Sequence, residues 1–285
     1  MVQFKQTLFF LSLSLCSSVS FANQITDPVV VKACKQISNK LTSVYFSQCL
    51  ANQLSDSGIR SNQNKPLLIK EYPPLGKRKP QAKILLLGGI HGDEYSSVSI
   101  VFKWLNTLDK YHSGLFHWKI IPLINPDGLL RKHSQRSNAN GVDINRNFSP
   151  GSDKNASLDY WERKTWKDKR RYPGPRPLSE PETRWIESLI NDFDPDVIVS
   201  VHAPYGILDF DGPRKAPDNL GPLHLKLLGT YPGSLGNYAG LQLKKPVITI
   251  ELPYAGIMPS KQQISKIWTD LVRWLKKNAN KQKTK

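Results

Sequence analysis

The chain has 285 residues, with 40 Lys and Arg against 23 Asp and Glu, and a formal net charge of +17. That length suits one large α/β domain or two small ones, with ample chain for a buried core. The basic excess favours polyanionic partners (nucleic acid, anionic envelope polymers or carboxylate-rich substrates) and equally fits solubility and generic adhesion. No stretch after the N-terminal leader is long and apolar enough to span a bilayer, which excludes stable membrane insertion and makes the mature chain a soluble one.

Residues 1–22 read as a secretory signal. MVQFK gives a short basic start, TLFFLSLSLC an apolar run, and SSVSFA places Ser20 and Ala22 at small-residue cleavage positions. Cys16 points to lipidation, but Leu15 is a poor residue before a lipid-bearing cysteine, so cleavage after Ala22 is expected, in the periplasm or on secretion. Lys5 is the only charged side chain removed, so the mature charge is 17 − 1, or +16. Cys34 and Cys49 remain. In an exported chain they are expected to join, closing a loop that contributes about 3 kcal/mol in the chain-entropy view; two free buried thiols are the alternative. Export makes nucleic acid the weaker polyanion. Much of the charge lies in WERKTWKDKRRYPGPRP (161–177) and in the tail KKNANKQKTK, both read as solvated surface.

Residues 23–78 read as a helical and extended N-terminal segment packed on a larger domain spanning 79–285. In DPVVVKACKQISNKL, Val29, Val30, Ala33, Ile37 and Leu41 fall at helical spacing behind an Asp27-Pro28 start signal. KPLLIKEYPPLGKRKP holds a short strand and then a proline-rich break. From residue 82 a grammar repeats: AKILLLGGI, HWKIIPLINPDG, PDVIVSVHAPYG and KPVITIELP are continuous apolar runs, as expected of strands covered on both faces. Helical stretches alternate with them: VSIVFKWLNTL (98–108), then SEPETRWIESLI (179–190), which opens with a Ser179–Glu182 capping box. The last, SKQQISKIWTDLVRWLKK, puts Ile264, Ile267, Trp268, Leu271 and Leu275 on one core-facing stripe. The sum predicts a three-layer α/β/α sandwich around a mixed, mostly parallel central sheet.

In open α/β sheets, ligands collect beyond the carboxyl ends of the strands. Four predicted strands end in polar sets there: His91 and Glu94 in GGIHGDEYSS, then Asn125-Pro126-Asp127, His202 and Glu251. Alone, each has a bland explanation, such as a surface histidine beside an N-capping acid or a satisfied strand-end histidine. Together His91, Glu94 and His202 make a His₂Glu set, which leaves a position open for water as a catalytic zinc site requires. Glu251, a carboxylate near the end of a buried strand, suits a general base. The polar stretch SQRSNANGVDINRNFSP (134–150) adds Arg136, Asn145 and Arg146, a set suited to forked recognition of a carboxylate and to polarising a carbonyl. An ion pair with a nearby acid is the alternative use of Arg146.

The ordered string HGDE…NPDG…R-x-NANGVDINRNF…YPGP…SEPET…VHAPYG…GSLGNY…TIELP resembles the zinc metallocarboxypeptidases of the carboxypeptidase A type. It is most similar to their bacterial branch acting on murein peptides, the γ-D-glutamyl–meso-diaminopimelate amidases and DL-carboxypeptidases, over roughly residues 82 to 275. The resemblance implies a carboxypeptidase-like catalytic domain over 79–285 and one zinc ion held by His91, Glu94 and His202. It implies Glu251 as general base, Arg136 as the oxyanion-stabilising arginine and Asn145 with Arg146 as the clamp on the terminal carboxylate. Asp143 matches an acid that orients the first ligand histidine. Two positions depart from the digestive enzymes. Their mobile tyrosine falls near Leu228, which leaves Tyr231 as the nearest candidate for substrate contact, and their specificity position matches Leu235, where no acid stands to select Lys or Arg. Murein peptide fits better, since Arg131, Lys132, Arg136 and Arg146 can meet its carboxylates and Asp209 and Asp211 its remote ammonium; a plain turn with Gly212-Pro213 is the alternative for the two aspartates. Two further readings remain: a zinc deacylase of N-acyl amino acids of the aspartoacylase and desuccinylase type, and a non-catalytic basic wall-binding protein, which would have no need of Glu251. Oligomeric state is not legible.

Overall fold

The structure, a computed structural model, describes Met1 and residues 27–77 and 79–279. The expected signal segment, with Cys16, and the last residues of the basic tail thus lie outside the described residues, Met1 apart. Asp27 starts helix α1 (Pro28–Lys40), its carboxylate accepting from the Val29 N–H at 2.8 Å, and Pro28 sits in the first turn where no N–H is needed. Helix α2 (Phe46–Ala51) returns beside α1, and Cys34 is bonded to Cys49 between them.

Nine strands among the described residues form one mixed sheet. They are β1 (Ser55–Arg60), β2 (Pro66–Tyr72), β3 (Ala82–Leu87), β4 (Phe116–Ile121), β5 (Val197–His202), β6 (Ile207–Asp211), β7 (Asn219–Leu220), β8 (Leu223–Leu225) and β9 (Val247–Glu251). Their order is β1-β2-β4-β3-β5-β9-β6-β8-β7. The four central strands, β4, β3, β5 and β9, are parallel throughout. The flanks are mainly antiparallel, at β1–β2, β2–β4, β6–β9 and β7–β8, with β6–β8 parallel. Parallel pairing therefore dominates only the centre. Since β2 pairs with β4 and β1 with β2, the two strands of the N-terminal segment extend the sheet of the larger domain.

The remaining helices are α3 (Tyr95–Tyr111), α4 (Pro126–Leu130), α5 (Ala156–Lys164), α6 (Pro181–Phe193) and α7 (Lys261–Asn278). Side chains alternate across a strand, so the sheet divides the core in two. Ile84 and Leu86 of β3 and Val197, Val199 and Val201 of β5 pack with α1, α3 and α7. Leu85, Leu87 and Ile198 pack on the other face with α6 and a π-helical turn over 236–242. The expected three layers are present.

The Ser179–Glu182 capping box does not form. Pro181 opens α6 one residue later than the motif requires, so Glu180 is the N-cap, and Ser179 Oγ donates to the Glu180 carboxylate at 2.7 Å. An unanticipated box starts α7 instead, where Ser260 and Gln263 satisfy each other's backbone N–H groups. No helix among the described residues is long and apolar enough to cross a membrane.

Candidate active site

The site lies at the carboxyl ends of the central strands. His202 is the last residue of β5 and stands opposite Glu251, the last of β9; Ser200 stands opposite Thr249. Both pairs share strand parity with Ile198 and Val247, hence the face that α6 covers. Past β3 the chain turns through Gly88-Gly89 to His91, and Glu94 forms the N-cap of α3.

His91 Nδ1 lies 2.7 Å from Glu94 Oε1, and His202 Nδ1 lies 3.1 Å from both His91 Nδ1 and Glu94 Oε2. The three ligand atoms are within 4.8 Å of one another and all three residues are buried. The outward nitrogens are engaged elsewhere. His91 Nε2–H donates to Asp143 Oδ1 at 3.1 Å, because a carboxylate can only accept, and His202 Nε2 lies 3.0 Å from Ser200 Oγ. The Nδ1 lone pairs are therefore turned inward beside a carboxylate, and this buried donor set of two nitrogens and oxygen fits zinc.

Asp143 is fully buried and ties the site together. It accepts from His91, from Arg136 Nε at 2.9 Å and from the Asn145 N–H at 3.0 Å. Arg136 Nη1 then reaches 3.2 Å from His91 Nδ1 and 3.6 Å from Glu94 Oε1, so a guanidinium borders the metal position. Burial alone would raise the Asp143 and Glu94 carboxyls, yet both are held well below the usual range, Asp143 by Arg136 and His91 and Glu94 by His91 and His202. Burial raises the Glu251 carboxyl, against the pull of His202, and its Oε2 is buried without a hydrogen-bond partner.

Asn145 Oδ1 accepts from the Leu235 N–H at 2.9 Å, which points the rest of its amide into the cleft. Arg146 donates to the Asn145 carbonyl at 2.6 Å, and its guanidinium carbon lies 4.4 Å from the centre of the Tyr231 ring. Burial lowers its pKa from the usual arginine value.

The zinc carboxypeptidase family model matches residues 57–208, which is more than half of the chain. The chain belongs to this family. Murein peptide amidase A of Escherichia coli K12 is 32% identical over 202 residues, covering 68% of this chain and 81% of that protein. The structure of murein-tripeptide amidase from Escherichia coli O157 superposes with a TM-score of 0.54 at 26% identity, over 78% of this chain and 92% of that one. Carboxypeptidase A from Helicoverpa armigera gives a TM-score of 0.62 at 16% identity, over 89% and 80%, a likeness of fold alone. The protein is thus a zinc metallopeptidase with a carboxypeptidase fold.

In this zinc carboxypeptidase the remaining expected residues are distributed as follows. Tyr231 lines the cleft but is held between the Arg146 guanidinium and the Tyr160 ring, 5.4 Å away edge-on. Asp209 and Asp211 both line the same cavity of about 370 Å³. Asp209 stands opposite Thr249 on β6, with Oδ1 accepting from the N–H groups of Phe210 and Leu228. Burial and the neighbouring Asp209 push the Asp211 carboxyl up to about 6. A Cβ at Gly236 would meet Asp211 Oδ2 at 2.1 Å, so a larger residue there would have to displace that carboxylate. The Asn125-Pro126-Asp127 set supplies no metal ligand. Asn125 caps α4 and donates to the Arg136 carbonyl at 3.0 Å, while Asp127 pairs with Lys65 at 2.8 Å. Sequence reasoning missed Ser200, although two residues before a ligand on a strand is the same face. It also missed Arg170 and Arg171, which line the cleft mouth although the basic run was read as plain surface.

Proposed function

We propose that the protein is an exported amidase of murein peptides that cleaves the γ-D-glutamyl–meso-diaminopimelate bond. The observation that carries this reading is the mixed charge of the cleft, which is lined by the guanidiniums of Arg136, beside the metal triad, and Arg146, and by the carboxylates of Asp209 and Asp211 on β6. A terminal diaminopimelate carries a carboxylate beside the scissile bond and, at the far end of its side chain, an ammonium next to a second carboxylate. The ammonium is the group that Asp209 and Asp211 can meet. Leu235 lines the same cavity and brings no acid of its own. The 32% identical relative is named as a murein peptide amidase, which supports the substrate class. The Cys34–Cys49 bond supports an oxidising compartment.

His91, Glu94 and His202 would hold the zinc ion, which when bound supplies Lewis-acid polarisation and a water acidified toward neutral pH. Glu251 takes the proton from the attacking water and passes it to the leaving amine. Arg136, fixed by Asp143, donates to the oxyanion of the tetrahedral intermediate without reorganising. Asn145 and Arg146 clamp the terminal carboxylate, so only the last residue is released. Tyr231 stacks on Arg146 and holds that clamp in place.

The test is a kinetic panel of γ-D-glutamyl–meso-diaminopimelate, an ordinary α-linked dipeptide and an N-acyl amino acid, with Asp209→Ala and Asp211→Ala beside the wild type. The murein amide is expected to be the best substrate, and each variant to lose discrimination between diaminopimelate and an analogue lacking the side-chain ammonium. Preference for the N-acyl amino acid would give the site to a deacylase instead.

A further inference from the structure

The basic run over 161–177 has so far no role beyond two arginines at the cleft mouth. It also lines a second cavity, of about 570 Å³, with Trp161, Lys169, Arg170 and Tyr172 on one side and Arg136 and Asn140 on the other. Arg136 and Arg170 line both cavities, so the second continues the cleft past the oxyanion arginine. Its wall is built, not draped. The Trp161 indole N–H donates to the Asp168 carbonyl at 2.7 Å and its ring lies 4.9 Å from Tyr172. Arg170 is fixed by Asp93 at 2.8 Å through its side chain and by Asp168 at 2.9 Å through its backbone N–H. Asp93 thereby offsets Arg170, and Asp143 and Glu94 offset Arg136. Lys169 is exposed and makes no ion pair among the described residues, so it carries the uncompensated charge of the cavity.

We propose that this cavity is a binding site for the acyl half of the substrate and that Lys169 reads a free carboxylate there. The inference rests on the murein reading above. The leaving residue occupies the first cavity, with its carboxylate on Asn145 and Arg146, so the acyl chain leaves the scissile carbonyl past Arg136. An ordinary α-linked acyl residue presents a neutral amide there. A γ-linked glutamyl residue presents its own α-carboxylate on a short methylene chain, which the Trp161 and Tyr172 rings can cover while Lys169 meets the charge.

The test compares two substrates in the zinc-loaded enzyme: γ-D-glutamyl–meso-diaminopimelate with the glutamyl α-carboxylate free, and the same compound with it converted to the carboxamide. The wild type is expected to favour the free acid by about fivefold in kcat/KM, as a partly exposed ion pair allows, chiefly through KM. Lys169→Glu should erase or invert that ratio, chiefly by raising KM for the free acid, and Lys169→Arg should keep it. Raising the salt concentration should shrink the preference in the wild type and in Lys169→Arg alike. Equal hydrolysis of acid and carboxamide by the wild type, or equal loss of both in Lys169→Glu, would overturn the proposal. Hydrolysis of neither would instead sink the murein reading beneath it.

Discussion

Glu251 and His202 are direct partners across the parallel pair β5–β9, so a buried carboxylate stands beside a metal-binding imidazole by strand register alone. Rigid strands fix that relationship better than a loop would. Glu251→Gln keeps the shape and removes the proton acceptor. It should lower kcat by about 10²–10⁴-fold while zinc content and substrate KM stay close to those of the wild type. Near-normal kcat with bound zinc would remove Glu251 from the chemistry.

Asp143 supports two functions at once, since one oxygen accepts from His91 and the other from Arg136. Asp143→Asn keeps the volume but loses the charge that holds both. Zinc affinity, measured by chelator competition, should fall about 10–100-fold. At saturating zinc, kcat should remain depressed, because Arg136 is no longer aimed. Full recovery of kcat with added zinc would confine Asp143 to the histidine.

Asp211 gives a pH dependence that the shared machinery cannot mimic. Its carboxyl is pushed up to about 6, by burial first and by Asp209 second, so it is charged above that pH and neutral below. The ratio of kcat/KM for diaminopimelate over an analogue lacking the side-chain ammonium cancels effects on zinc and Glu251. That ratio should fall as pH drops from 8 to 5 and be flat in Asp211→Asn. A flat ratio in the wild type would show that the ammonium lies elsewhere.

Glu182 supplies a stability test away from the chemistry. It is fully buried, Asn138 donates to it at 3.4 Å, and its other oxygen has no partner. Burial, with Glu180 and Asp127 nearby, pushes its carboxyl up to about 7 from 4.5. The folded state therefore binds the proton more tightly than the unfolded chain, and stability is lost as pH rises from about 4.5 through 7. Glu182→Gln should be stabilising at pH 8, by up to about 3 kcal/mol at 1.36 kcal/mol per pKa unit, and nearly neutral at pH 4. Denaturant melts at the two pH values decide it; an equal effect at both would point to packing.

The central strands were legible because β3, β5 and β9 are covered on both faces and read as unbroken apolar runs. The short edge strands β7 and β8, of two and three residues, carry no periodicity to read. His91, Glu94 and His202 were legible as residue types that follow such strands. Asn125-Pro126-Asp127 followed one equally well and serves to cap α4 and to hold the Arg136 loop. What separates the cases is which way the chain turns after the strand. The roles of Lys169 and Arg170 were hidden because a charge run looks the same on an open surface as on the wall of a cleft.

The central claim is tested most directly by incubating the zinc-loaded enzyme with L-Ala-γ-D-Glu-meso-diaminopimelate and reading the products by mass spectrometry, with Glu251→Gln in parallel. Release of free diaminopimelate and L-Ala-D-Glu by the wild type, and by it alone, is the predicted result. An intact tripeptide in the presence of stoichiometric zinc would contradict the account.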